Sequence, residues 1–464
     1  MERAIERETI TRLCEIVGED HVITERERLA PYGQDALGEL FLPDLVVLPR
    51  TTEEVAAIMK LANEKLLPVT ARGGGVGYTG GAVPVRGGLV LSTERMNRIK
   101  EINFDDLYAV VEPGVRTYEL QCAVEERGLF YPPDPASFRE SFIGGNIAEN
   151  AGGPRSIKYG VTKHYVLGLE IVTPTGEVIR AGGRTTKNVV GFDLVGLICG
   201  SEGLLGIITE AILRLLPLPE ARRTVRALFR TMREACACVP QFVRAALVPA
   251  AIEVMDRHSI RAVNDAFSFG IPDEAEALLL VEVDGNRDEV ECEARVVERI
   301  LRESGGFDVR RAETAEEERE LWEVRRALSD AIKRYGTLKL NNDVVVPRSR
   351  IPELIERVEQ IAQRYEIFVV NFGHAGDGNI HVNFMCDGND REAVRRAREA
   401  VRETFAAALE LGGTISAEHG IGYTKAPYLR MALSEPTIET MKRIKRALDP
   451  NWILNPGKMF SDDR

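Results

Sequence analysis

Three of the six histidines in this 464-residue chain fall in two short segments near its C-terminal end. The first reads Asn371-Phe-Gly-His374-Ala-Gly-Asp377-Gly-Asn379-Ile-His381-Val-Asn383-Phe, and the second Ser416-Ala-Glu418-His419-Gly420-Ile-Gly422. Two imidazoles and one carboxylate form a suitable donor set for Zn²⁺, Fe²⁺ or Mn²⁺ and leave positions open for a substrate. His374, His381 and Glu418 are therefore candidate metal ligands. A hydrogen-bonded histidine pair in a glycine-rich turn is the plainer alternative. The surrounding pattern favours a shared site. Asp377-Gly378 is a hairpin-turn signal. Beyond it, Ile380, Val382 and Phe384 alternate with His381 and Asn383, so one strand face is apolar and the other carries His381. Such a hairpin returns His381 to the side of His374.

A second chemistry is carried by glycine. Residues 71–81 read Ala-Arg72-Gly73-Gly74-Gly75-Val-Gly77-Tyr-Thr-Gly80-Gly81. Without Cβ atoms, successive backbone N–H groups can ring a pyrophosphate, and Arg72 offers positive charge. Gly75-Val-Gly77-Tyr-Thr-Gly80 satisfies G-x-G-x-x-G literally, but a dinucleotide fingerprint must open a helix. Here Pro84 and the Gly87-Gly88 pair follow, then an apparent strand at Leu89–Leu91, and no helix fits. Taken alone, the run is as readily a tight turn as a ligand loop.

The elements that must hold these loops are legible in outline. An amphipathic helix opens the chain through Ile5, Ile10, Leu13 and Ile16. Asp44-Leu-Val-Val-Leu48 reads as a buried strand. Thr51-Thr-Glu-Glu54 is a capping box, followed by the helical stripe Val55, Ile58, Met59 and Ala62. Leu67-Pro-Val-Thr70 returns to strand and completes a β-α-β unit. From Arg72 to about Pro219 glycine is dense and strands are short. Pro217-Leu-Pro219 marks a boundary. After it come a strand at Ala277–Val283, a charged helix near Asp288–Arg302, strands at Leu338–Asp343 and Ile367–Phe372, and a helix at Glu435–Leu448. This texture predicts an α+β domain with an antiparallel sheet covered by helices. The expected division is 1–219, 220–420, and a segment 421–464 that packs back toward the first domain.

Composition narrows the partners. The formal net charge of -12 disfavours phosphate backbones and anionic lipid. No apolar run approaches the roughly 18 residues that suggest a membrane span. The chain's start shows no signal peptide. The seven cysteines are scattered without a C-x-x-C, which excludes an iron–sulfur or Cys-type zinc reading and fits a reducing cytoplasm.

Further segments recur in order. They are Glu112-Pro-Gly-Val115, Pro132-Pro-Asp134-Pro-Ala-Ser137, Ser141-Phe-Ile-Gly144-Gly145-Asn146-Ile-Ala-Glu-Asn150-Ala-Gly152-Gly153, Tyr159-Gly160, Leu167–Val172 and Gly200-Ser-Glu-Gly203-Leu-Leu-Gly206-Ile-Ile208. Over residues 40–220 this set resembles the FAD-binding domain of the vanillyl-alcohol oxidase (PCMH) type. The resemblance implies two α+β subdomains holding FAD non-covalently. Residues 73–81 would then meet the pyrophosphate. Pro132, Asp134, Ser137, Gly144, Gly145, Asn146, Asn150 and Gly152 would line the cofactor path. Gly203, Gly206 and Ile208 would approach it by backbone, and Asn455 from the C-terminal segment. His164, where wider relatives sometimes carry a covalent link, is expected to be a surface or hydrogen-bonding residue.

Gly373–His381 and Ala417–Gly422 resemble the C-terminal domain of FAD-linked oxidases, over residues 220–464. That group includes the FAD subunit of glycolate oxidase, D-lactate dehydrogenases and D-2-hydroxyglutarate dehydrogenase. The resemblance implies His374, His381 and Glu418 as metal ligands, His419 as general base and Asn383 as a substrate contact. Leu321-Trp-Glu-Val-Arg325 matches a Trp-x-x-Arg segment, which makes Arg325 the expected carboxylate fork, with Arg326 the alternative if the helix phase shifts. A family lysine corresponds to Lys339, or its place is taken by Asn341. The expected activity is FAD-dependent oxidation of a small D-2-hydroxy acid, with D-lactate or glycolate favoured. D-2-hydroxyglutarate oxidation and a flavin electron-transfer subunit without its own substrate are the alternatives. Electrons would pass to an iron–sulfur subunit, an electron-transfer flavoprotein or a quinone. Expected too are a cytoplasmic chain that reaches the inner face of the membrane through such a partner, no nucleic acid, and no membrane-spanning segment. A homo-oligomer is left open.

Overall fold

Thr51 starts the first long helix, Thr52–Lys65, by accepting the Glu54 amide on Oγ1 at 3.2 Å. The expected capping box is half formed, because the Glu54 carboxylate turns to the Arg50 amide instead. Val55, Ile58, Met59, Leu61 and Ala62 bury this helix in a core shared with the chain's first helix, Arg7–Val17. The computed structural model describes residues 5–460. It divides into one unit of Met1–Gly152, Val161–Leu218 and Glu418–Arg464, and a second of Gly153–Gly160 and Pro219–Ala417.

The first unit holds two main sheets. β1 (Val22–Ile23), β2 (Leu45–Val47), β3 (Val69–Arg72) and β4 (Leu89–Ser92) lie in the order β1-β2-β4-β3. β2 and β3 both run parallel to β4, as a β-α-β crossover requires. β5 (Ile99–Asn103), β6 (Tyr108–Val111), β8 (Val166–Val172), β9 (Val178–Gly182) and β10 (Ile207–Arg214) form an antiparallel sheet ordered β5-β6-β10-β8-β9. A short pair joins β7 (Leu129–Phe130) to β11 (Leu216–Pro217). The C-terminal helix Glu435–Leu448 leads back into this unit: the Val69 amide donates to the Ile453 carbonyl and the Asn455 amide to the Val69 carbonyl, both at 2.7 Å.

The second unit is built on seven antiparallel strands. They are β12 (Ala221–Phe229), β13 (Ala251–Asp256), β14 (Ala277–Gly285), β15 (Phe307–Arg311), β16 (Leu338–Val345), β17 (Phe368–His374) and β18 (Asn379–Cys386), ordered β15-β12-β14-β13-β17-β18-β16. Part of the face that carries Met255, Leu278, Leu280, Val370 and Phe372 packs under helices Arg257–Phe267, Ala315–Arg326 and Leu328–Ala331. The chain crosses between the units at 152/153, 160/161, 218/219 and 417/418. Gly153–Gly160 joins the second unit for an electrostatic reason. Glu282 and Asp284 are buried on β14 and need cations. Arg155 Nε meets Glu282 at 3.2 Å, Lys158 Nζ meets Asp284 at 2.6 Å, and the Tyr159 hydroxyl donates to Asp284 at 2.8 Å.

No described helix is long and apolar enough to cross a membrane. All seven cysteines are free thiols.

A buried ion pair fixes the C-terminal return. Lys445 Nζ donates to Asp449 Oδ2 at 2.5 Å and to the carbonyls of Leu204 and Leu454 at 2.7 and 2.9 Å. Replacing Lys445 with Met leaves Asp449 buried without its cation. Denaturant titration should show a loss of about 3–5 kcal/mol. A loss below about 1 kcal/mol would place the pair among exposed bridges of little consequence.

Candidate functional site

The β17–β18 hairpin forms as the alternation requires. Phe372 pairs with His381 and His374 with Asn379, so the two histidines stand diagonally on one face. Their rings are 5.3 Å apart and perpendicular, and both residues are buried. Gly378 makes the turn at φ +95°, and a Cβ there would lie 2.0 Å from the Val346 carbonyl. On the same face β16 presents Asp343 opposite His381 and Asn341 opposite Asn383. Asp343 anchors the end of the second unit: the Ala417 amide donates to its carbonyl at 2.9 Å and its Oδ2 at 3.0 Å. Glu418 follows Ala417 by one peptide bond. His374 and His381 each offer a ligand atom in the second unit, and Glu418, the third residue of the expected set, begins the last segment of the first.

The dominant electrostatic feature escaped the sequence reading. Glu253, fully buried on β13, pairs across the ladder with His374 and accepts a short hydrogen bond from its Nδ1. Its other oxygen accepts from Arg325 Nε at 2.6 Å. Burial raises a carboxyl pKa, yet the charges of His374 and Arg325 hold Glu253 below the ordinary range. A carboxylate on Nδ1 directs Nε2 outward as a donor atom, the arrangement metal-bound histidines use. A lone Glu between Ile252 and Val254 in an apolar strand was the available signal.

Arg325 sits in the helix phase first expected. Its guanidinium lies 4.6 Å from the Phe372 ring centre, while Arg326 faces outward to Glu323. Asn383 is committed to the sheet. Its Nδ2 donates to the Val370 and His381 carbonyls, and its Oδ1 accepts from Asn341 Nδ2 at 2.7 Å. It is fully buried and holds Asn341. Lys339 and Asn341 share one strand face, so both remain candidates; burial lowers the Lys339 pKa.

In the first unit, the amides of Gly73, Gly74, Gly75, Val76 and Gly77 donate to no described protein group. Such a row of N–H groups suits an anion. A Cβ added at Gly73 would lie 3.5 Å from the Gly145 amide nitrogen, and one added at Gly77 or Gly145 meets nothing within 4 Å. The loop therefore borders open space, which fits a cofactor phosphate.

The Arg72 guanidinium is engaged by the protein. It is buried and donates to the carbonyls of Pro31, Tyr32 and Ala82, filling the place a Gly75 Cβ would take. Asn146, Asn150 and Asn455 also spend their side chains on the protein. Asn146 donates to Thr117 Oγ1 at 2.6 Å, Asn150 accepts the Lys163 amide at 2.9 Å, and Asn455 donates to the Gly203 carbonyl at 2.9 Å. Gly144 packs on Pro113, and Gly206 on Ile171. Pro132 is buried, while Asp134 and Ser137 are partly exposed and Ile208 is buried on β10. Gly80, Gly81 and Gly152 lie in the loops around them. His164 accepts the Val161 amide on Nδ1.

His419 is set by the glycine loop itself. The Tyr78 ring lies 5.0 Å from the imidazole, tilted by 32°, and Thr79 Oγ1 donates to the His419 carbonyl at 3.0 Å. Its Nε2 is 3.8 Å from Glu418. Lys458, also missed, donates to the Gly81 carbonyl at 2.7 Å, and burial pushes its pKa down to about 7.

Two solved structures define the fold class. The chain matches 4-ethylphenol oxidase from Gulosibacter chungangensis with a TM-score of 0.80 at 22% identity, covering 99% of this chain and 98% of that one. It matches p-cresol methylhydroxylase with a TM-score of 0.79 at 18% identity, covering 98% of each. This is the PCMH-type architecture.

The family follows from sequence. The model of an FAD binding domain matches residues 43–182, and that of the FAD linked oxidases' C-terminal domain matches 218–459. Glycolate oxidase subunit GlcD of Bacillus subtilis is 42% identical over 99% of this chain and 98% of its own. The GlcD subunit of Escherichia coli K12 is 38% identical over 93% and 87%. D-lactate dehydrogenase of Anaerostipes hadrus is 37% identical over 90% and 89%. The chain belongs to the FAD-linked oxidase family.

Gly145→Ala separates cofactor space from protein packing. The new methyl touches no protein atom, and alanine favours a helix over glycine by about 0.8–1.0 kcal/mol. The apoprotein should be as stable or more so, while FAD affinity falls at least about tenfold, or roughly 1.4 kcal/mol. Unchanged FAD affinity by fluorescence titration would remove Gly145 from the cofactor surface.

Proposed function

We propose that this chain oxidises a small D-2-hydroxy acid, D-lactate or glycolate, to the 2-oxo acid with non-covalent FAD, a divalent metal and an external electron acceptor. The names of the relatives support the substrate class. The observation that carries the chemistry is Glu253 holding an imidazole of the His374/His381 pair and the Arg325 guanidinium on one carboxylate.

Arg325 keeps two terminal nitrogens after Glu253 takes Nε, and these match a substrate carboxylate. Phe372 holds the guanidinium from below. His374, His381 and Glu418 would hold Zn²⁺, Fe²⁺ or Mn²⁺, which lowers the pKa of a bound hydroxyl. His419 takes the proton of the 2-hydroxyl as general base. FAD, when bound, would supply the hydride acceptor for the substrate Cα. Asn341, held by Asn383, offers its carbonyl oxygen toward the same strand face as His381. An iron–sulfur subunit, an electron-transfer flavoprotein or a quinone then takes the electrons.

Turnover measured with an artificial acceptor should vanish after chelation and return with added Zn²⁺, Fe²⁺ or Mn²⁺. Glu253→Gln should weaken metal binding about 10- to 100-fold at unchanged flavin content. Full turnover in protein shown to be free of metal would exclude the metal from the reaction.

A further inference from the structure

The loop that carries His419 rests on a buried carboxylate from a different segment. Glu202 lies in the Gly200–Gly206 turn with φ +54° and is 6% exposed. Its Oε1 accepts the Ile421 amide at 2.8 Å and its Oε2 accepts the Gly422 amide at 2.6 Å. Two successive N–H groups are thereby held by the two oxygens of one carboxyl group. Gly420, between them and His419, adopts φ +78°. A Cβ there would stand 2.4 Å from Glu149 Oε2 and 3.0 Å from Glu202. The backbone beside the imidazole lies directly on these carboxylates.

The other side of the loop is held by Thr79. Its carbonyl accepts the Tyr423 and Thr424 amides at 2.7 and 3.1 Å, while its hydroxyl donates to the His419 carbonyl. Glu202 is tied in turn to the cofactor turn. Its amide donates to the Ala148 carbonyl at 2.8 Å, and Asn455 Nδ2 donates to the carbonyls of Glu202 and Gly203. Burial raises the Glu202 carboxyl pKa, and the Ile421 and Gly422 amides with the charges of Lys425 and Lys458 act against that shift. The turn assigned to FAD through Gly203 and Gly206 thus contains the residue that orients the loop of the base.

We infer that Glu202 is a positioning residue that fixes the His419 imidazole for proton removal. The inference rests on the reading of His419 as general base. A loop tied only for stability would not need this coupling to be felt in the proton-transfer step. Gln at this position keeps the shape but turns an N–H₂ group toward a backbone N–H. The displaced loop then carries His419 out of register, and a displacement of about 1 Å costs on the order of 100-fold in rate.

The test uses full-length holoenzyme and whichever of D-lactate and glycolate reduces its flavin. Glu202→Gln and Glu202→Asp should retain FAD content, thermal midpoint and a KM within about twofold, with kcat lowered about 10- to 100-fold. The solvent deuterium isotope effect on kcat should rise, because proton removal becomes slower. His419→Ala, measured in parallel, should lower the rate about 10²–10⁴-fold. Wild-type kcat in His419→Ala would defeat the reading of the base. A collapsed His419→Ala beside a wild-type kcat in Glu202→Gln would defeat this inference alone. Loss of FAD or folding in both Glu202 variants would assign the carboxylate to the fold and overturn the inference as well.

Discussion

A carboxylate at the centre of an apolar sheet face must find compensating charge or lose its own. Glu253 stands at such a place, with Leu280 and His374 as its ladder neighbours. It stays ionised because it meets His374 on one oxygen and Arg325 on the other. That need fixes two things together: the ring orientation of a histidine on β17, and the phase of the helix Ala315–Arg326 above the sheet. The remaining polar groups of the face follow the same rule. Asp343 is satisfied by Ser416 and Ala417, and Asn383 by Asn341 and two carbonyls. A polar cluster at this depth is stable only when its members are mutually engaged.

Much of this was legible in the sequence because it is periodic or punctuated. The alternation around His381 revealed the hairpin, and Asp377-Gly378 its turn. The helix Glu435–Leu448 ends where its pattern ends. Glu253 and Asp343 were not legible, since a single acidic residue in an apolar strand signals a buried partner without naming it. The partners lie far along the chain, and pairing register decides them. Arg155 and Lys158 joined the second unit for the same reason: Glu282 and Asp284 needed cations, and nothing local to residue 155 says so.

The glycine loop teaches a related distinction. The motif was read as a phosphate cradle, and the unengaged amides of residues 73–77 agree with that use. Yet its glycines do different work. Gly75 yields its side-chain space to the Arg72 guanidinium, whereas Gly77 and Gly145 border open space. The Arg72 guanidinium closes the loop on three carbonyls, a role that depends on where residues 31, 32 and 82 fall in the fold.

The central claim is that a 2-hydroxy acid delivers electrons to FAD on this chain. It is tested most directly by following the visible flavin band of FAD- and metal-replete protein, with oxygen excluded, as each acid is added. D-lactate or glycolate should bleach the band, and L-lactate should not. A band left unbleached by both D-lactate and glycolate would contradict the account.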